Sequence, residues 1–481
     1  MHKSKVYFRA DGNSTIGLGH IYRIVALMMM LDEFFECVFI IKKPDESIKQ
    51  LIATQNANLI SLEEGMDLRS EAEYLNEHHL KEEELFVLDG YDFDEVYKNT
   101  IAQSRVKLIC IDDLYQNTDC IDLIINHGGA ATRNNYKENK KTQFALGPKF
   151  ALLRPPFWQY ARNKVPHSVI DQNLFICFGG SDPENQTLKT LQNISSSSID
   201  KCFIVLGSAY QYREALEAYI NSSGHNVELL TNLSAEELVE VMSKCQSAIT
   251  SPSTISYEYL SIGGLLYLKQ TADNQLHLYN YLLDQKLAFK LEAFPVDDYH
   301  IKSASLIRQQ NIFDGLQAKR FNYLFKSLVL EIKDASIADK QLFFDWTNEE
   351  MTRKQSFSQD AVPWEDHVNW FDTKLTSRSS LMYVLELNCM PIGQVRFDLT
   401  SENIIISFSL DRDYRGKGLG TAILHKALIT LLSEKNPQKT IIGYVRKGNV
   451  PSQKAFKLLE FTEEETQAYE DSYQYTYNYG I

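Results

Sequence analysis

Short apolar runs alternate with helix-length amphipathic stretches over the first two thirds of the chain. Val6–Phe8, Cys37–Ile41, Leu85–Leu88, Leu108–Ile111 and Leu123–Ile125 are apolar and bounded by turn or charged residues. Between them, stretches such as Asp94–Gln103 carry the helical period. Strands alternating with helices predict βαβ units around a parallel sheet. Leu153-Arg-Pro-Pro-Phe157 interrupts the pattern, and its paired prolines read as a stiff connection. A second series follows: Leu174–Phe178, Cys202–Leu206, Ala248–Thr250 and Leu265–Leu268. After the helical run Gly315–Val329 the texture changes. Leu381–Leu387, Ile392–Leu399 and Ile404–Leu410 lie close together with turn residues between them, as in an antiparallel meander. The predicted fold class is α/β, with two Rossmann-like lobes (1–156 and 157–330) followed by an α+β domain (331–481).

The first strand and helix are joined by Arg9-Ala-Asp-Gly-Asn-Ser-Thr-Ile-Gly-Leu-Gly-His20-Ile-Tyr-Arg23, a glycine loop. Open α/β sheets place ligands at such loops, beyond the carboxyl ends of their strands. Gly17 and Gly19 permit close backbone approach. His20 falls at the helix mouth, where free N–H groups favour an anion and an imidazole suits proton transfer near neutral pH. Asp89-Gly-Tyr91, Asp112-Asp113 and Asn126-His127-Gly-Gly129 end other strands and are expected on the same sheet edge. In the second series Gly179-Gly-Ser-Asp182-Pro repeats the strand, turn, helix order, and Ser251-Pro-Ser-Thr254 places hydroxyls at another helix start. Two similar halves predict a ligand held in the cleft between them.

Charge narrows the ligand. A formal net charge of −14 argues against nucleic acid or an anionic membrane as main partner. A phosphate-bearing ligand then has to be held by local amides and a few cations. Seven cysteines without a C-x-x-C pair give neither a disulfide framework nor a zinc site, and no metal is expected. Val6–Phe8 is too short for a secretory segment and Ile24–Leu31 too short for a membrane span, so a cytoplasmic location is expected. In the last third, the meander runs into Asp411-Arg-Asp-Tyr-Arg415-Gly-Lys-Gly418-Leu-Gly420 and the helical stretch Thr421–Leu432. Glycines there let successive amides wrap a pyrophosphate, and Arg415 and Lys417 add charge.

Six motifs make the front of the chain specific. They are Arg9-Ala-Asp-Gly…Gly-Leu-Gly-His20, Leu88-Asp-Gly-Tyr91, Ile111-Asp-Asp113, Leu146-Gly-Pro…Leu153-Arg-Pro, Phe178-Gly-Gly-Ser-Asp-Pro and Ala272-Asp-Asn-Gln275. In this order, over about residues 5–325, they resemble the UDP-sugar hydrolases of pseudaminic acid biosynthesis, relatives of the two-lobed GT-B glycosyltransferases. The resemblance implies release of UDP from UDP-2,4-diacetamido-2,4,6-trideoxy-β-L-altropyranose by water that inverts the anomeric carbon. It implies His20 as base or water-positioning group, with Gly19, Asp11 and Tyr91 at the sugar. Glu258 would hold the ribose, and Asn274 and Gln275 would face the sugar or phosphates. Amides at Gly180–Ser181 and Ser253–Thr254 would meet the charge that grows on the β-phosphate. Tyr259-Leu-Ser-Ile-Gly-Gly-Leu265 departs from the more usual Ala-Leu-Gly-x-Pro.

The spacing Arg415-x-x-Gly418-x-Gly420, followed by Thr440–Val445, Asn449, Ser452, helix Pro451–Leu459 and Phe461, resembles GNAT acetyltransferases over about residues 331–481. It implies acetyl-CoA bound by Leu410, Arg415, Gly416, Lys417, Gly418, Gly420, Asn449 and Ser452. Trp346-x-Asn348, Glu365-Asp-His367-x-x-Trp370-Phe371 and Gly393-Gln-Val-Arg396-Phe look like the branch that acetylates amino groups of nucleotide sugars. The implied acceptor is UDP-4-amino-4,6-dideoxy-N-acetyl-β-L-altrosamine. Phe456 stands where many of these enzymes carry a tyrosine acid, and Glu460 where a glycine is usual. The proton donor to the thiolate stays open between Ser452, a nearby tyrosine and water. The expected whole is a bifunctional enzyme acting on a UDP-linked amino sugar with acetyl-CoA. Two alternatives remain at this point: a GT-B glycosyltransferase with a fused acetyltransferase, and a non-catalytic nucleotide-sugar and CoA binding module.

Overall fold

The structure is a computed structural model that describes residues 3–12, 18–55, 57–115, 119–137, 141–163, 172–195, 199–435 and 439–477. Gly17, singled out above, lies outside the described residues. The first sheet is built from β1 (Ser4–Ala10), α1 (Gly19–Met30), β2 (Phe35–Lys42), β3 (Asn58–Leu62), α2 (Leu68–His78), β4 (Leu85–Asp89), β5 (Lys107–Ile111), β6 (Leu123–Asn126) and β7 (Gln143–Leu146). Its order is β3-β2-β1-β4-β5-β6-β7, parallel throughout. The strand order reverses between β1 and β4, and a crevice forms at the carboxyl ends of such a pair. His20, in the first turn of α1, and the strand-end Asp89 therefore meet there.

The second sheet repeats this plan. It comprises β8 (Leu174–Cys177), α3 (Gln186–Asn193), β9 (Cys202–Leu206), β10 (Val227–Thr231), β11 (Ser247–Thr250), α4 (Thr254–Ile262), β12 (Leu265–Leu268) and β13 (Phe289–Lys290). The order β10-β9-β8-β11-β12-β13 puts the reversal between β8 and β11, whose loops carry Gly179–Asp182 and Ser251–Thr254. Between the two sheets, Pro155 and Pro156 do not halt regular structure as the sequence led us to expect. They open a helix, Pro155–Asn163. Proline's missing N–H is no loss in the first turn, and its fixed φ suits a helix start.

A helix, α5 (Gln317–Leu328), then lies against both α1 and the third unit. That unit holds β14 (Glu331–Asp334), β15 (Ser380–Leu387), β16 (Met390–Leu399), β17 (Ile404–Leu410), α6 (Leu419–Lys435), β18 (Ile441–Arg446), α7 (Val450–Leu458), β19 (Thr462–Glu465) and β20 (Ser472–Tyr477). The order is β14-β15-β16-β17-β18-β20-β19, antiparallel except for β17 against β18. Two Rossmann-like sheets followed by an α+β unit agree with the expected fold class. Phe321, Leu324, Phe325 and Leu328 of α5 are all at most 3% exposed. They join the core under α1 to the core under α6 in one contiguous cluster. Side chains of that size each contribute about 1.5–3 kcal/mol on burial, which makes α5 a shared element. Among the described residues no helix is long and apolar enough to cross a membrane.

Candidate functional site

His20 sits in the first turn of α1 with a side chain 21% exposed, and its Nδ1 lies 2.7 Å from Oδ1 of the buried Asp89. Nδ1 also lies 2.8 Å from Arg23 Nη2, which can only donate; because Arg23 already spends its Nε and Nη2 hydrogens on the two Asp89 oxygens, we assign the hydrogen to Nδ1, donating to Asp89. Nε2 is then the basic nitrogen. Arg23, one turn along the same face, donates from Nε to Asp89 Oδ2 at 3.0 Å and from Nη2 to Oδ1 at 2.6 Å. Its Nη1 reaches Asp113 Oδ2 at 3.0 Å. Burial opposes the guanidinium charge, but the two carboxylates outweigh it and raise the Arg23 pKa above its ordinary value. The Tyr91 hydroxyl donates to the same Asp113 oxygen at 3.1 Å, and its ring meets His20 edge-on at 4.9 Å. Burial and the Asp113 carboxylate raise that phenol.

Asp11 is fixed from below. Its Oδ2 accepts from Arg9 Nη2 at 2.7 Å and its Oδ1 from the Lys42 amide at 3.0 Å. The side chain is still 32% exposed, directly after β1. Gly19 has open space where a Cβ would stand.

The opposite lobe approaches through His127. The His127 carbonyl accepts from the Tyr257 hydroxyl of α4 at 3.0 Å, and Gly129 lies against Tyr281 so closely that a Cβ would stand 2.0 Å from its ring. Burial, with the Arg23 charge, pushes the His127 imidazole down to about 4, so it is neutral at pH 7. His20, Asp89, Arg23, Asp113 and His127 thus share one side of the contact between the lobes.

On the second lobe the expected residues divide. Gly180 and Ser181 are exposed in the loop after β8. The α3 opening behind them is not free, because Asp182 accepts from the Gln186 amide at 2.7 Å and the Thr187 amide at 2.8 Å. Only the loop amides, not that helix mouth, remain for a diphosphate. Ser253 and Thr254 stand at the start of α4, in a capping box with Ser256 whose bond from the Ser253 amide to Ser256 Oγ is long, at 3.4 Å. Glu258 does not present an open carboxylate: it is 4% exposed and pairs with Arg154 Nε at 2.8 Å. Burial pushes its carboxyl up while Arg154 opposes that shift. Asn274 is exposed, and the Gln275 side chain accepts from the Thr271 amide at 2.8 Å. The Gly180 loop itself rests on Gly207, where a Cβ would stand 2.1 Å from the Gly180 carbonyl oxygen. Backbone cannot yield as a side chain tip can. Gly207→Ala is therefore expected to destabilise the second lobe by about 1–3 kcal/mol. Thermal melting of the variant beside the wild type reads this loss.

In the third unit, β17 pairs with β18 only over Ile404–Ile406 and Ile441–Gly443, while its pairing with β16 runs on to Leu410. The strands part beyond that point, leaving a notch between Leu410 and β18. Below the notch the loop turns at Gly416 (φ 77°) and Gly418 (φ 72°) into α6, with Gly420 in its first turn. Those left-handed turns need glycine and present successive amides to one side. Arg415 does not offer a free charge as the sequence led us to expect. Its Nη2 lies 2.7 Å from Glu349, also contacts Thr352 Oγ1, and its Nε donates to the Leu410 carbonyl at 3.0 Å. Burial opposes ionisation of Glu349, but the Arg415 bond and nearby amides hold its carboxyl down to about 2. Lys417 donates to the Asp413 carbonyl at 2.7 Å. Asn449 caps α7, accepting from the Ser452 amide at 3.3 Å. Phe456 packs against Phe408 and stacks on Tyr475 at 5.1 Å, and the Tyr475 hydroxyl is engaged by Glu463. His367 is buried, with Nε2 on the Lys340 carbonyl at 2.9 Å.

The residues that sequence reasoning left without a role are Arg23, Asp89, Asp113, His127 and Arg154. Arg23 lies three residues after His20, which puts both on one helix face, a usable signal. Asp89, Asp113 and His127 stood out as strand-end polar groups. Nothing local pointed to Arg154 facing Glu258.

Comparison with known proteins adds family information. Residues 330–462 match the acetyltransferase (GNAT) domain family Acetyltransf_3. The chain is 24% identical over 486 residues to the Methanocaldococcus jannaschii protein MJ1062, covering 95% of this chain and 96% of that one. It is 26% identical over 262 residues to the UDP-2,4-diacetamido-2,4,6-trideoxy-β-L-altropyranose hydrolase of Campylobacter jejuni, covering 53% of this chain and 88% of that enzyme. Among solved structures, the Campylobacter jejuni N-acetyltransferase PseH matches with 17% identity and a TM-score of 0.25, over 32% of this chain and 99% of that one. The chain is therefore a fusion of a UDP-sugar-hydrolase-like region with a GNAT acetyltransferase domain.

Proposed function

We propose that the protein is a bifunctional enzyme of UDP-linked amino sugars. The acetyltransferase domain N-acetylates UDP-4-amino-4,6-dideoxy-N-acetyl-β-L-altrosamine. The front lobes hydrolyse the product, UDP-2,4-diacetamido-2,4,6-trideoxy-β-L-altropyranose, to free sugar and UDP. The observation that carries the hydrolase reading is the His20–Asp89 pair at the α1 mouth, on the sheet edge where His127 meets Tyr257 of the second lobe.

Asp89 keeps the Nδ1 hydrogen in place, so Nε2 takes a proton from water as its oxygen bonds to the anomeric carbon. The bond to the β-phosphate oxygen breaks on the opposite face, and UDP leaves with the electron pair. Amides of Gly180–Ser181 and Ser253–Thr254 stabilise that charge without a metal. Asp11, Gly19 and Tyr91 face the sugar, and Asn274 and Gln275 line the entrance. Glu258, closed off by Arg154, is left out of the ribose contact, and the partly exposed Arg154 guanidinium stands in front of it.

The residues around the β17–β18 notch suit a CoA ester: Gly416 and Gly418 cradle with backbone amides, Gly420 opens α6, and Asn449 and Ser452 start α7 across the gap. When bound, acetyl-CoA supplies an activated acetyl group. Leu410, at the end of β17, and Arg415 shape the notch, and Lys417 adds charge at its rim. Phe456 carries no acid and the Tyr475 hydroxyl is engaged by Glu463, so the donor to the departing thiolate is Ser452, another tyrosine of this sheet or water.

The test is mass spectrometry of the UDP-4-amino sugar incubated with the protein and acetyl-CoA. Gain of one acetyl group followed by loss of UDP supports both halves. Sugar that appears only after an acceptor is added overturns hydrolysis in favour of glycosyl transfer.

A further inference from the structure

The CoA loop is not held by its own domain alone. Lys326, on α5 before the matched GNAT region, is 1% exposed and donates from Nζ to the Lys417 carbonyl at 2.8 Å. The same ammonium pairs with Asp32, two residues beyond the end of α1, and sits over the Phe34 ring at 5.2 Å. It also closes off Gly418: a Cβ there would stand 3.3 Å from Nζ. Asn322, one turn earlier on α5, locks the helix to the same place. Its Nδ2 donates to the Met30 carbonyl at 2.7 Å, and its Oδ1 accepts from the Asp32 amide at 3.0 Å.

A buried ammonium is costly unless each of its hydrogens finds an oxygen. Here one oxygen is a carboxylate of the first lobe and another is the carbonyl in the middle of the glycine turn. A peptide whose carbonyl is held inward turns the next N–H, that of Gly418, the opposite way. Lys326 thereby fixes the side on which the turn shows its amides, which is the property a pyrophosphate reads.

We propose that Lys326 is a positioning residue for CoA, supplied by the hydrolase-like region and anchored through Asp32. The acetyl-CoA site is then completed by a residue from outside the acetyltransferase fold. This inference rests on acetyl-CoA being the ligand of the Gly416–Gly420 loop.

The experiment is calorimetric titration of the full chain with CoA, and separately with UDP, for the wild type, K326M and K326R. K326M is expected to weaken CoA binding roughly tenfold, the size of a lost charged hydrogen bond, and to leave UDP binding within twofold. K326R, which keeps a charged donor, is expected to recover most of the loss. Wild-type CoA affinity in a folded K326M overturns the inference, as does equal loss of CoA and UDP binding, which marks general damage. If the wild type itself does not bind CoA, the acetyltransferase reading fails first. Should K326M not fold, D32N decides. It keeps the ammonium but loosens its anchor, and faster amide exchange across residues 416–420 with weaker CoA binding is expected. Unchanged exchange and affinity in D32N overturn the inference.

Discussion

His20→Asn should lower UDP release by about three orders of magnitude, within the range general base catalysis contributes, while UDP binds within twofold of the wild type. Asparagine fills much of the same space and still offers Asp89 an N–H donor, so the α1 mouth keeps its shape. What it lacks is a basic nitrogen on the far side to receive the proton of water. Asp89→Asn isolates the other half of the argument. With its charge removed, Nδ1 no longer has a carboxylate 2.7 Å away and Arg23 loses its principal partner. The neutral tautomer that leaves Nε2 basic is then no longer enforced, and a drop of about two orders of magnitude is expected. Initial rates of UDP formation, with UDP affinity from titration, check both. A His20→Asn protein that keeps more than a tenth of wild-type turnover removes the imidazole from the mechanism.

The strands that hold this geometry were legible because the inner ones are buried on both faces and read as unbroken apolar runs, Leu85–Leu88 and Leu123–Ile125 among them. Those not foreseen follow a physical rule. Asn58–Leu62 and Gln143–Leu146 edge the first sheet, Val227–Thr231 and Phe289–Lys290 the second, and Glu331–Asp334 and Thr462–Glu465 the third. An edge strand faces water and is blunted with polar and charged residues, as in Thr-Glu-Glu-Glu of β19, so its pattern imitates a loop. Ser472–Tyr477 is an interior strand, and its alternating tyrosines were a period-two signal left unread. The site follows a similar division. His20, the glycine turns and the strand-end acids were visible because each depends on its own neighbours in sequence. Arg23 on Asp113, Arg154 on Glu258 and Lys326 on Lys417 join residues 90, 104 and 91 positions apart. No local pattern encodes such pairs.

The largest stability effect is expected from Glu71, which lies at the bottom of the first-lobe site without touching it. Its carboxylate accepts from Arg9 Nε at 2.7 Å and from the Tyr97 hydroxyl at 2.8 Å, and pairs with Lys42 Nζ at 2.8 Å. Arg9 and Glu71 are both fully buried, and Arg9 in turn holds Asp11. Glu71→Ala removes one charge and leaves Arg9 in the core of β1 with only Asp11 as counter-charge. Breaking a buried pair in this way costs about 3–5 kcal/mol. Glu71→Gln, which keeps the volume and an acceptor, is expected to cost less. Acid provides a second reading. Burial alone would raise the Glu71 carboxyl, but Arg9, Lys42 and Tyr97 more than offset it, so its folded pKa lies below the ordinary 4.5. A depressed carboxyl contributes stability that is fully present above 4.5 and is lost as pH falls through its folded value. The stability gap between the wild type and Glu71→Ala is therefore expected to be widest at neutral pH and to narrow below 4.5, as read from denaturant midpoints across that range. A gap that stays constant into acid means the carboxylate acts by filling space, and Asp11 would then owe its position to the backbone of β1 and not to the charges beneath it.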